Sequence, residues 1–348
     1  VDWKTLVYEY VYARNRMEAR LEPGYVASYI EDPSYYDRQK ERATRLQQLH
    51  RQREIEPIRR EERLRFLGVR SIECGLLVEI GLHNRSAYNS YGLLQQEERK
   101  ERELLVLTNR RGNWAITAVH SRETEGYQGA EGLAIVKPVA PGGALPESPS
   151  PSTGGEEQQV HDLQQMPHTA AMFAGKTART AIYDRKRAAA YADRWWEAGN
   201  PAYLEFAVDC SNYVSQCLFA GGAPMNYTNK RGSGWWYRGQ SGKQELWSYS
   251  WAVADSLRRF LASSGSGLKA TQVHSPQELA EGDIISYSWL GNGHYGHSTV
   301  VAAIDGQGMP LVNAHTVSSK HRYWDYQDSY AWTAQTLYRF YHISDSFN

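Results

Sequence analysis

A stretch rich in glycine, proline, serine and glutamate, residues 123–168, limits what this chain of 348 residues can fold into. At its centre runs Pro146-Glu147-Ser148-Pro149-Ser150-Pro151-Ser152-Thr153-Gly154-Gly155, which has almost no apolar surface to bury and reads as a linker. The chain is therefore expected to be two domains, residues 1–122 and 169–348, each long enough for its own core.

The first domain reads as helices followed by an antiparallel sheet. Leu6, Val7, Tyr10 and Val11 recur near helical spacing until Pro23-Gly24 interrupts them. Asp32 suits an N-cap with Pro33 at the first helical position, and this second helix runs past Leu46 and Leu49 before Pro57 breaks or kinks it. The dense charge from Arg38 to Arg63 is mixed in sign, so a solvated helix face is expected. From Leu64 onward apolar pieces shorten and alternate, as in Leu76, Val78, Ile80 and Leu82, and Asn109-Arg110-Arg111-Gly112-Asn113 reads as a turn between strands. Cys74 lies within this apolar region and is expected to pack there. A curved sheet wrapped on helices, similar to the nuclear-transport-factor-like folds, would suit this order.

In the second domain, Asp209-Cys210-Ser211-Asn212-Tyr213-Val214-Ser215-Gln216-Cys217 puts a cysteine where an extended segment gives way to a helix. Unpaired NH groups and the helix dipole favour a thiolate there, and the same donors can hold an oxyanion. Cys217, among Val214, Leu218 and Phe219, reads as a packing residue. On one helix the two sulfurs are roughly 10 Å apart along the axis, too far to bridge, so Cys210 is expected to be a free thiol.

A cysteine hydrolase also needs a histidine to exchange the proton and a third group to orient that histidine. His297 opens the apolar run Thr299-Val300-Val301-Ala302-Ala303-Ile304, and Asp305-Gly306-Gln307-Gly308 turns it into a second strand that ends near Asn313 and His315. Either Asn313 or His315 fits the orienting role by spacing, with His315 preferred; His294 competes with His297 for the base. Only His294 and His297 lie close together, with no carboxylate or thiol at zinc-like spacing, so neither metal nor cofactor is expected.

Lys plus Arg equals Asp plus Glu at 39 each, which argues against nucleic acid as a partner. No apolar run is long enough for a transmembrane segment. The 11 tryptophans include Trp235, Trp236 and Trp251, which could line a groove for a peptide or serve as core residues with a polar handle.

Several separate pieces carry a resemblance. They are Asp209 to Leu218 with Ala220-Gly221-Gly222, then Trp235-Trp236-Tyr237, Ser250-Trp251, Gly282-Asp283-Ile284-Ile285, His297-Ser298 and Ala314-His315-Thr316. With these the chain resembles the putative amidase domain family of Gram-positive bacteria, which looks related to NlpC-type cell-wall peptidases and papain-like cysteine hydrolases. The resemblance implies an α+β fold with a papain-like C-terminal domain and a cysteine-dependent amidase or peptidase. It puts the nucleophile on Cys210, histidines on His297 and His315, and Asp209 and Ser211 beside the substrate. Asn212 fits the amidase pattern, where many NlpC-type relatives carry glycine. The implied substrate is an amide bond in a peptide, with cell-wall peptide stems the leading candidate and an exported or wall-associated location compatible with it. The alternative is a wall-binding or scaffold protein that kept the fold and lost the activity.

Overall fold

A computed structural model describes residues 2–121, 135–137, 180–241 and 244–347. The expected linker, residues 123–168, lies outside the described residues apart from the short strand Ile135–Lys137. The molecule is mixed α and β and divides into two compact units. The division does not follow chain order, because Asp305–Gly308 and Val317–Ala334 group with Val1–Glu125.

In the first unit, helices α1 (Trp3–Arg20) and α2 (Pro33–Gln52) accompany strands β1 (Glu56–Ile72), β2 (Gly75–Ser90), β3 (Leu93–Arg110) and β4 (Asn113–Ser121), each strand antiparallel to the next. Asp32 caps α2 by accepting from the Tyr35 NH at 3.0 Å, with Pro33 following it. The helix ends at Gln52, so Pro57 falls inside β1 instead of kinking α2.

The interior face of this sheet changes character along its strands. Val78, Ile80, Leu105 and Leu107 pack with Leu6, Val7, Tyr10 and Val11 of α1. Further along the same faces come Asn84 and Ser86 on β2, and Glu103, Glu101, Arg99 and Glu97 on β3. Arg14 of α1 is bound by Glu62, Glu101 and Glu103, the last at 3.1 Å, and Arg42 of α2 is paired with Glu18. Tyr10 donates to Glu103 at 2.9 Å. Burial pushes the Glu62 carboxyl up to about 7 against the pull of Arg14 and Arg60. The charged run is therefore only partly a solvated face, since Arg42 and Gln39 are buried while Arg38, Lys40 and Glu41 are exposed. Its buried members close ion pairs that sequence spacing does not reveal. Cys74, expected to pack, is exposed in the turn between β1 and β2.

The second unit is built on an antiparallel sheet of β5 (Ala270–Val273), β6 (Ile284–Ser288), β7 (His297–Ile304), β8 (Pro310–Ala314) and β9 (Leu337–Ile343), in the spatial order β8-β7-β6-β9-β5. Helices α3 (Arg185–Trp195), α4 (Cys210–Ala220) and α5 (Ala254–Ser263) accompany it. All 11 residues of α4 are buried, as expected of a helix with no strongly polar face. At its end the Gly221 and Ala223 NH groups return to Cys217 and Leu218. A Cβ at Gly221 would lie 2.4 Å from the Tyr183 ring, and Gly222 has φ +95, so both positions need glycine. Asp283, in the turn before β6, accepts from Arg185, the Ile343 NH and the Ala280 NH and bonds His342. The Gly282-Asp283 pair thus ties the sheet to α3.

Candidate active site

The site begins with an unusual N-cap. An aspartate there ordinarily accepts from the first-turn NH groups, but the Asp209 side chain makes no such bond. One carboxylate oxygen accepts from the Phe206 NH at 3.0 Å and the Asn212 amide at 2.8 Å; the other meets Nδ1 of His315 at 2.8 Å. The opening NH groups of α4 are thereby left without their usual side-chain cap.

Cys210 is the first residue of α4 and only 2% exposed. Its sulfur accepts from the Ser298 NH and lies 3.8 Å from the Ser211 hydroxyl. That contact puts the sulfur against the peptide joining His297 to Ser298. Burial raises the Cys210 thiol above its ordinary range; hydrogen bonds from Ser298 and Ser211 oppose the rise without reversing it. Cys217 is also a buried free thiol, raised still further by burial and packed in the core of the unit.

His297 begins β7 opposite Tyr287 and is wholly buried. Its ring is 5.5 Å from that of Tyr287 and 5.8 Å, stacked, from that of Trp289. His294 is partly exposed in the preceding turn, 3.9 Å from Asp255.

Asn313 and His315 are engaged elsewhere. Asn313 pairs with Val300 across the sheet, so alternation puts it on the face opposite His297, and His315 shares its parity. Asn313 donates to Asp193 at 2.8 Å. His315 stacks on Tyr213 with ring centres 4.0 Å apart, and its Nε2 meets the Trp195 carbonyl at 2.7 Å. A carbonyl only accepts, so Nε2 is the donor in that contact. His315 thus clamps the start of α4 to the end of α3.

Asn212 donates to the Leu204 carbonyl and to Asp209, and accepts from the Trp251 indole at 2.8 Å. Asn212 therefore ties three segments together. The Trp235 and Trp236 indoles likewise donate to protein acceptors, Ser215 for the first and the Lys230 and Ser233 carbonyls for the second. Trp235, Trp236 and Trp251 are all buried, which fits core residues with a polar handle better than the walls of an open cleft. Ser211 is buried beside the sulfur.

Sequence reasoning missed Asp193, the Trp195 carbonyl and the Ser298 NH. Two are backbone groups with no residue signature, and Asp193 carries only the weak signal of an acid in the last turn of a helix. No group of acidic, histidine and cysteine side chains is placed to hold a metal ion among the described residues. Nor is any helix among them long and apolar enough to cross a membrane.

An uncapped helix start, a cysteine at its first position and a histidine at the facing strand end occur within one stretch of chain. Residues 182–341 match the model of the putative amidase domain family. This amidase-like region is a little under half of the chain and contains every candidate site residue. The match supports a hydrolase acting on amides. The chain is also similar to the uncharacterized protein YhbB of Bacillus subtilis (strain 168), at 50% identity over 167 residues, 48% of this chain and 52% of that protein. The chain thus spans about half the length of the curated relative it matches. No solved structure matches it.

Proposed function

We propose that the amidase-like region is a cysteine-dependent amidase of papain-like kind, with Cys210 as nucleophile and His297 as general base and acid. The observation that carries this reading is the Cys210 sulfur lying at the uncapped start of α4 against the His297–Ser298 peptide. His297 takes the thiol proton as sulfur attacks the amide carbon, and the new oxyanion is received by the opening NH groups of α4, that of Cys210 included. The carbon–nitrogen bond breaks as His297 returns the proton to the leaving amine, and water then cleaves the thioester. His315, Asp209 and Asn313 are positioning residues in this reading, because their side chains hold α3, α4 and β8 together. The Ser211 hydroxyl lies 3.8 Å from the reacting sulfur. A peptide amide is the substrate class, and the resemblance to wall peptidases makes cell-wall stems the first to test.

Incubation with purified cell wall, with soluble fragments read by mass spectrometry, tests the substrate. New amine ends are expected from the native chain and none from Cys210→Ala. One observation favours a second reading, a wall-binding protein without activity: the nucleophile is buried and its thiol raised by that burial. That reading predicts wall binding unchanged in Cys210→Ala and no cleavage product from either chain.

A further inference from the structure

A cavity of about 120 Å³ lies in the first unit, away from every candidate catalytic residue. Its wall is half apolar, with Leu46 and Leu49 of α2, Leu21 after α1 and Ile55 before β1. Its charged lining is unbalanced, five guanidinium groups against three carboxylates.

Most of those arginines already have counter-ions. Arg42 is paired with Glu18, Arg99 with Glu97 and Asp328, and Arg53 with Asp325, while the exposed Arg59 is paired with Glu61. Arg60 differs. Its terminal nitrogens donate to the neutral oxygens of Ser86 at 3.1 Å and Asn84 at 3.3 Å. Its nearest ion-pair contact is Glu18 at 3.9 Å, which Arg42 already holds, and Glu62 on its own strand is bound by Arg14. Its Nε is buried with no hydrogen-bond partner among the described residues. A buried charged donor left unpaired costs more than a typical hydrogen bond returns, so an arginine held this way beside an empty volume calls for an acceptor.

We infer that this cavity binds a small organic carboxylate, its anionic group on Arg60 and its short apolar body against Leu46, Leu49 and Ile55. The apolar wall favours a carboxylate over an inorganic anion, which would leave it uncovered. The volume, roughly that of four waters, admits a chain of only a few carbons. The charge on Arg60 excludes an amine.

The test is calorimetric titration of the full chain with butyrate, with butylamine, butanol and inorganic phosphate as controls. Butyrate is expected to bind and to raise the unfolding midpoint as its concentration rises, with each control at least tenfold weaker. Arg60→Gln should weaken butyrate at least tenfold. So should Leu49→Phe, which fills the cavity and keeps the charge, and far-ultraviolet dichroism checks that each variant is folded. Absence of butyrate binding, equal binding of any control, or native affinity in a folded Arg60→Gln or Leu49→Phe chain would overturn the inference.

Discussion

At the scale of single residues, burial raises the Cys210 thiol, and in the proposed mechanism His297 collects its proton. Because burial raises Cys210, its alkylation by iodoacetamide should accelerate with pH and reach its midpoint above that of a free cysteine. A midpoint below that of a free cysteine would mean the helix start dominates after all. His297→Ala should lower amide hydrolysis by about 10²–10⁴, the usual share of a general acid–base group. His315→Ala should act differently, slowing hydrolysis less than His297→Ala while lowering the unfolding midpoint, since it removes the partner of one Asp209 carboxylate oxygen and of the Trp195 carbonyl. Asn212→Ala leaves the Trp251 indole and the Leu204 carbonyl without partners and should cost about 3 kcal/mol in urea unfolding.

At the scale of elements, the charged half of the first unit sets its response to acid. Burial works to raise the Glu18 carboxyl, but Arg42, Arg60 and Arg14 overcome it and hold it at about 2. A depressed carboxyl stabilises the fold above the ordinary carboxylate range and loses that contribution as pH falls from about 4.3 towards 2. Glu62 has the opposite sign: raised to about 7, it contributes below the ordinary range and loses that contribution as pH rises through about 7. Glu18→Gln should therefore cost on the order of 3 kcal/mol at neutral pH and little at pH 2, measured by urea unfolding at each pH. Equal cost at both would contradict the ion-pair account.

This half of the sheet is also where the sequence was hardest to read. The apolar alternation of Leu76, Val78, Ile80 and Leu82 announced β2, and Asp32-Pro33 announced the start of α2. Beyond Leu82 and before Leu104, both faces of β2 and β3 carry polar or charged side chains, so no two-residue period in hydropathy survives although the pairing continues without a break. The helix that begins at Cys210 was legible from the run Cys210 to Ala220. The sulfur's burial and the diversion of Asp209 to His315 were not, because both depend on elements about a hundred residues further along the chain.

At the scale of the whole molecule, the two units hold two separate candidate sites. The candidate site residues, Cys210 and His297 among them, lie in one unit and the cavity at Arg60 lies in the other, so butyrate binding and Cys210 reactivity should respond to different substitutions. In the proposed mechanism Cys210 forms a covalent bond with the acyl group of an amide or activated ester. The most direct measurement is intact-mass and peptide mass spectrometry of the full chain quenched in acid during turnover of an activated ester. An acyl adduct is expected on the peptide bearing Cys210, absent from Cys210→Ala, whose hydrolysis falls at least about a thousandfold. Hydrolysis undiminished in Cys210→Ala, with no adduct on the native chain, would contradict it.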